Sequence, residues 1–96
     1  MNITKTMNGD ALVIAIEGRL DTTTAPEFES FIKENLSGIK SLTLDCGKLA
    51  YISSAGLRVL LSTQKKMKSA MKLTNVCELV MEVFEMTGFA DILTIE

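Results

Sequence analysis

Hydrophobic and polar residues change period several times along the chain, and each change predicts a new element. Ile3 to Met7 alternate weakly, with Ile3, Lys5 and Met7 on one side and Thr4 and Thr6 on the other, as in a half-exposed edge strand. Asn8-Gly9-Asp10 then predicts a hairpin turn. Ala11 to Ile16 is apolar throughout and rich in β-branched residues, which suits a strand buried on both faces. After Gly18, the segment DTTTAPEF has the makings of a helix start: a threonine to cap, Pro26 in the first turn, and Glu27 and Glu29 at the positive end of the helix dipole. Phe28, Phe31, Ile32 and Leu36 repeat at helical spacing before Gly38.

Leu42, Leu44 and Cys46 alternate with Thr43 and Asp45, predicting a strand that ends near Gly47 and a loop from Lys48. From Ser54, Leu57, Leu60 and Leu61 mark one face of a second helix, with Arg58, Lys65, Lys66 and Lys68 largely outside it. Met71, Leu73 and Val76 predict a short strand, Leu79, Val80, Val83 and Phe84 a third helix ended by Gly88, and Ile92 to Ile95 a last short strand. Alternation of this kind predicts an α/β domain whose parallel neighbours are joined by right-handed crossovers.

Composition narrows this to one compact domain over residues 1–96, with 47% hydrophobic and 23% charged residues. Ten basic against twelve acidic side chains, a formal charge of -2, supply no broad positive field for a phosphate backbone, so nucleic acid is not an expected partner. No apolar run approaches the ~20 residues that span a bilayer, and the first ten residues lack a signal peptide's apolar stretch, so no membrane association and a cytoplasmic location are expected. Cys46 and Cys77 each sit in an apolar-periodic segment and are read as buried reduced thiols, with no metal site, because histidine is absent. The six methionines fall mostly at apolar-periodic positions and are read as core fillers. Without heptads or a large apolar face, the free chain is expected to be a monomer.

The chemistry concentrates in AYISSAGLRVLL, Ala50 to Leu61, where Ser53 and Ser54 stand at the start of the second helix. Two readings apply to them. Either serine oxygen can cap backbone N–H groups that lack partners at a helix start. The same unpaired N–H groups and the helix dipole also make a place that tolerates a phosphate, so a phosphoserine there would add charge to a small apolar surface without disrupting the fold. Gly56 fits a close approach to a neighbouring strand. An enzyme is not expected, since a serine nucleophile would need a base and the chain has neither histidine nor a G-x-S-x-G elbow. Asp21 suits a turn before a helix; Asp45, Arg58 and Lys65 are read as solvated charges.

The span LDCGKLAYISSAGLRVLL, from Leu44, resembles the signature of the STAS domain family, in particular the stand-alone bacterial anti-sigma factor antagonists. Tyr51-Ile52 matches the family's apolar pair, Ser54 its phosphorylated serine and Gly56-Leu57 its helix start, while Ser53 stands where many phosphorylated members carry aspartate and Ala55 where they often carry a hydroxyl. EGRLDTTTAPEF, from Glu17, and VFEMTGFADIL, from Val83, resemble the family's Asp-containing turn and its C-terminal helix. The resemblance implies a single-domain fold with a mixed sheet of about five strands and about three to four helices. It implies phosphorylation at Ser54 and a partner-binding edge formed by Asp21, Ser53, Ser54, Ala55, Gly56 and Leu57. It also implies a partner-switching cycle. The unmodified domain binds a serine-kinase anti-sigma factor and frees a sigma factor, the kinase inactivates the domain by phosphorylation, and a metal-dependent serine phosphatase restores it. No cofactor is implied. The alternative is a non-phosphorylated STAS binding module, such as a transport-system subunit or a small-ligand sensor.

Overall fold

The computed structural model describes all residues 1–96. The hairpin of β1 (Asn2–Asn8) and β2 (Ala11–Leu20) turns through Gly9, whose φ of 67° lies in the left-handed region that glycine adopts without strain. Helix α1 (Ala25–Asn35) leads to β3 (Ser41–Ile52), and α2 (Ser54–Met67) leads to β4 (Met71–Thr74). Helix α3 (Glu78–Thr87) closes on Gly88 at φ 82°. The sheet order is β1-β2-β3-β4, with β1 antiparallel to β2 and the rest parallel.

All three helices cover one face of this sheet. Leu12, Ile14 and Ile16 of β2, Leu42, Leu44 and Cys46 of β3, and Met71 and Leu73 of β4 are buried there against Phe28 and Ile32 of α1, Leu57 and Leu60 of α2, and Val80 and Phe84 of α3. The crossovers β2–α1–β3 and β3–α2–β4 run in one direction across the sheet, and the right-handed preference of such connections accounts for α1 and α2 lying on the same side. The opposite face carries no helix, which corrects the reading of β2: Ala11, Val13 and Ala15 are half-buried on an open face, not in a second core layer. Their small apolar side chains tolerate that position and disguise it in the sequence.

Three further expectations are corrected. Strand β3 does not stop at Gly47 but pairs with β2 as far as Ile52. Register shifts between Ala15 and Glu17 and between Gly18 and Arg19 each add a residue on the β3 side, so its buried positions Cys46, Leu49 and Ile52 fall three apart and the strand period is lost. The fifth strand shrinks to a single parallel bridge, Leu73 with Ile95, because a 3-10 turn at Phe89–Asp91 and the burial of Leu93 leave only the last residues extended. Two hydrogen bonds hold it: Leu73 N–H donates to Thr94 O at 2.8 Å and Glu96 N–H to Leu73 O at 2.9 Å. Finally, Met86 is 86% exposed and is no core filler.

Both cysteines are free, but only Cys46 is buried. Desolvation, aided by the Asp45 carboxylate, pushes its thiol up to about 12. Cys77 is half-buried at the start of α3, its Sγ 3.4 Å from Leu49 O. At pH 8 Cys46 holds roughly one part in 10,000 of thiolate, so a maleimide reagent is expected to label Cys77 alone in the folded chain. Mass spectrometry of the digested adduct checks this; prompt labelling of Cys46 would contradict the packing of β3.

Candidate functional site at the start of α2

Strand β3 delivers Ile52 into the core and the next residue leaves the sheet, so Ser53 and Ser54 fall at the C-terminal edge of the parallel strands. Ser53 is the residue before α2, with extended backbone at φ -105° and ψ 176°. Its N–H donates to Leu20 O at 2.9 Å, and its carbonyl accepts the Leu57 N–H at 2.9 Å. Its hydroxyl makes no capping bond: Ser53 Oγ is buried without a partner. The capping reading of the serine pair therefore fails at Ser53, because the side chain turns inward. Ser54, the first residue of α2, is exposed, and no acidic residue occupies the first turn. The N–H groups of that turn thus have neither a side-chain cap nor a first-turn carboxylate, and nothing in the turn offsets the positive end of the dipole.

Gly56 fixes this edge against β2. A Cβ there would lie 2.8 Å from Leu20 Cγ, 2.9 Å from Ile52 Cγ1 and 3.0 Å from Leu20 O. Only glycine lets α2 begin this close to the end of β2. Gly56 and Leu57, expected on the partner edge, are buried; they hold the edge in place and do not form its surface.

The Asp21 turn is brought beside Ser53 through Leu20. Asp21 Oδ1 accepts the N–H groups of Thr23 at 3.0 Å and Thr24 at 3.2 Å, and Asp21 N–H donates to Thr24 Oγ1 at 2.8 Å. Thr24 Oγ1 in turn donates to Arg19 O at 2.8 Å. Thr24 therefore serves the turn and not a cap of α1. The Thr24 N–H bond, followed by that of Thr23 and the nearby Arg19 charge, holds the Asp21 carboxyl below its ordinary 3.8, partly opposed by desolvation. A depressed carboxyl contributes its stabilisation in full above the unfolded value and loses it as pH falls through the folded one. Amide exchange at Thr23 and Thr24 is therefore expected to accelerate, relative to the intrinsic rate, only below that 3.8, and Asp21→Asn is expected to abolish this pH step.

One cluster was invisible in the sequence. Arg19 Nε lies 3.6 Å from Asp21 Oδ2, and its guanidinium stacks over the Tyr51 ring at 4.1 Å from the centroid. The pairing of Arg19 with Tyr51 exists only because β3 continues past Gly47. Between the first turns of α1 and α2 lies a shallow groove of about 220 Å³, lined by Thr22, Pro26, Glu29, Ala55, Arg58 and Val59 among others. The surface around Ser54 is thus small and apolar at Ala55 and Pro26, with Arg58 one helical turn along. It presents a hydroxyl at a positive helix end.

The family model for the STAS domain matches residues 2–96. BtrV of Bordetella bronchiseptica, provisionally assigned as an anti-sigma factor antagonist, is 34% identical over 96 residues, covering 96% of this chain and 83% of BtrV. Among solved structures, an anti-sigma factor antagonist from Mycobacterium paratuberculosis superposes with a TM-score of 0.88 at 18% identity, covering 98% of this chain and 83% of that one. The Bacillus cell fate determinant SpoIIAA in its phosphorylated form gives 0.74 at 16% identity, covering 99% and 91%. These two likenesses concern the fold. With the family model spanning nearly every residue and a relative above 30% identity over its length, the chain belongs to the STAS domain family.

Proposed function

We propose that this chain is an anti-sigma factor antagonist whose binding edge is switched off by phosphorylation of Ser54. The observation that carries the reading is Ser54 itself: an exposed hydroxyl on the first residue of a 14-residue helix whose N-terminus has no side-chain cap and no acidic first turn. The relationship to BtrV supports the antagonist role. The unmodified edge around Ser54 and Ala55 binds a serine-kinase anti-sigma factor in the cytoplasm and displaces its sigma factor. The kinase transfers a phosphoryl group to Ser54 Oγ, adding about -1.5 to -2 charge that the uncapped helix start and its dipole accommodate in the free domain. Docking then fails by desolvation and repulsion, and a metal-dependent serine phosphatase reverses the step. The domain is the substrate in this cycle and not a catalyst.

The test is incubation of the purified chain with ATP and the serine-kinase anti-sigma factors of its source organism, followed by intact-mass measurement and site mapping. One added phosphate, on Ser54, is the expected result; none, or phosphate on Ser53, would overturn the assignment. In light scattering the free chain is expected to give the mass of one 10.5 kDa protomer.

A second reading, a small-ligand binding module, has one observation in its favour. The open sheet face holds a cavity of about 520 Å³ lined by Asn2, Thr4, Glu17, Asp45, Lys48 and Asn75 among others. A ligand screen that shifts the amide resonances of these residues while phosphate transfer fails would favour it.

A further inference from the structure

Helix α3 carries a second apolar stripe that meets the core only through half-buried Val83. Val80 and Phe84 are fully buried, whereas Leu79, Val83 and Met86, spaced i, i+4 and i+7, share a neighbouring face on which Leu79 is 53% and Met86 86% exposed. Glu78, Glu82 and Glu85, all exposed, repeat at the spacings of a stripe alongside it. Charge along the chain is sharply divided here. From Arg58 to Cys77 every ionised side chain is a cation, and from Glu78 to Glu96 every one is a carboxylate: Glu78, Glu82, Glu85, Asp91 and Glu96. Only Glu96 has an ion partner, Lys72 at 3.5 Å. The glutamates of α3 are therefore unneutralised beside an uncovered apolar strip.

We infer that the outer face of α3 is a second docking surface, built for a partner protein that presents an apolar strip flanked by lysine or arginine. Apolar contact would come from Leu79 and Met86, and orientation from the glutamate row on one side only. A second copy of this chain fits less well. Two α3 helices packed antiparallel would bring glutamate stripes together, and the cations at the end of α2, Lys65, Lys66 and Lys68, flank no exposed large apolar side chain to match the strip. The inference needs neither phosphorylation nor the Ser54 edge, so it stands or falls separately from the proposed function.

The test titrates the full-length, ¹⁵N-labelled chain with a synthetic helical peptide carrying leucines at i, i+4 and i+7 flanked by lysines, and with the same peptide carrying glutamates instead. The lysine peptide is expected to shift the amides of Glu78–Thr87 first, with a dissociation constant of about 10–100 μM at low salt that weakens as salt is added. Glu82→Lys with Glu85→Lys is expected to weaken it about tenfold, and Leu79→Ser with Met86→Ser to abolish it; all four positions are solvent-facing, so the spectra should otherwise match the parent. Shifts centred on Ser54–Arg58, equal binding of both peptides, or no binding would overturn the inference. So would a dimer of the free chain that Met86→Ser dissolves, since it would assign the face to a second copy.

Discussion

Gly56→Ala is expected to lower the melting temperature by roughly 10 °C, which for a domain of this size corresponds to a loss of about 2 kcal/mol. The new Cβ would stand 2.8 Å from Leu20 Cγ, 2.9 Å from Ile52 Cγ1 and 3.0 Å from the Leu20 carbonyl oxygen. Two of these atoms are near the backbone of buried side chains and the third is backbone, so none can swing aside. Overpacking of this kind costs about 1–3 kcal/mol or more, against which alanine's better helix propensity returns up to about 1 kcal/mol. The strain falls on the start of α2, because the same Leu20 carbonyl also accepts the Ser53 N–H. Relief requires α2 to lift from β2, which breaks that bond and displaces Ser54. Thermal unfolding followed by circular dichroism reads the first effect; partner titration at a temperature where the variant is folded reads the second. An unchanged melting temperature would mean that α2 does not begin as close to β2 as described.

Much of this geometry could be foreseen, and the failures have specific causes. The turn at Gly9, the helix stop at Gly88 and the face of α1 follow from local rules, since each depends on a backbone conformation or a spacing that a few residues settle among themselves, whereas α2 buries Val59 with Leu57 and Leu60 and leaves Leu61 half-buried. Strand β3 beyond Gly47 does not, because two extra residues relative to β2 turn a period of two into intervals of three, and the register of another strand cannot be read locally. The stacking of Arg19 on Tyr51 was lost with it. Motif resemblance pointed to Ser53–Leu57 as an edge but could not separate its exposed residues from its buried ones: Ser54 is exposed, Ala55 half-buried, and Gly56 and Leu57 buried. The same limit applies to Ser53, whose hydroxyl faces inward without a partner where a capping serine would turn to the helix. Met86 fits an apolar count as well as Phe84 does, yet one is outside and the other inside, because helical spacing alone cannot say which of two apolar stripes meets the sheet.

Ser54→Asp is expected to weaken binding to the proposed partner, a serine-kinase anti-sigma factor, about a hundredfold while leaving the domain folded, and Ser54→Ala is expected to bind like the parent. The two halves of this expectation come from one position. In the free domain, residue 54 is the first residue of α2, exposed, at a helix start with no side-chain cap and no other carboxylate in the first turn. A carboxylate there meets the positive end of the dipole, which favours it by about 0.3–1 kcal/mol, so the melting temperature should hold or rise slightly. In the complex, the same carboxylate would be pressed against a partner beside Ala55 and Pro26, stripped of water and without a cation of its own apart from Arg58 one turn along. Leaving a charge partly unpaired in such a contact costs about 2–5 kcal/mol, more than the dipole returns. Alanine removes only an exposed hydroxyl, so neither state is much affected. Calorimetric titration of the three chains against the kinase separates these terms. Equal affinity for parent and Ser54→Asp would place the binding edge elsewhere on the domain, and weak binding by Ser54→Ala would show that the hydroxyl is itself a contact and that its loss, not added charge, is what the switch exploits.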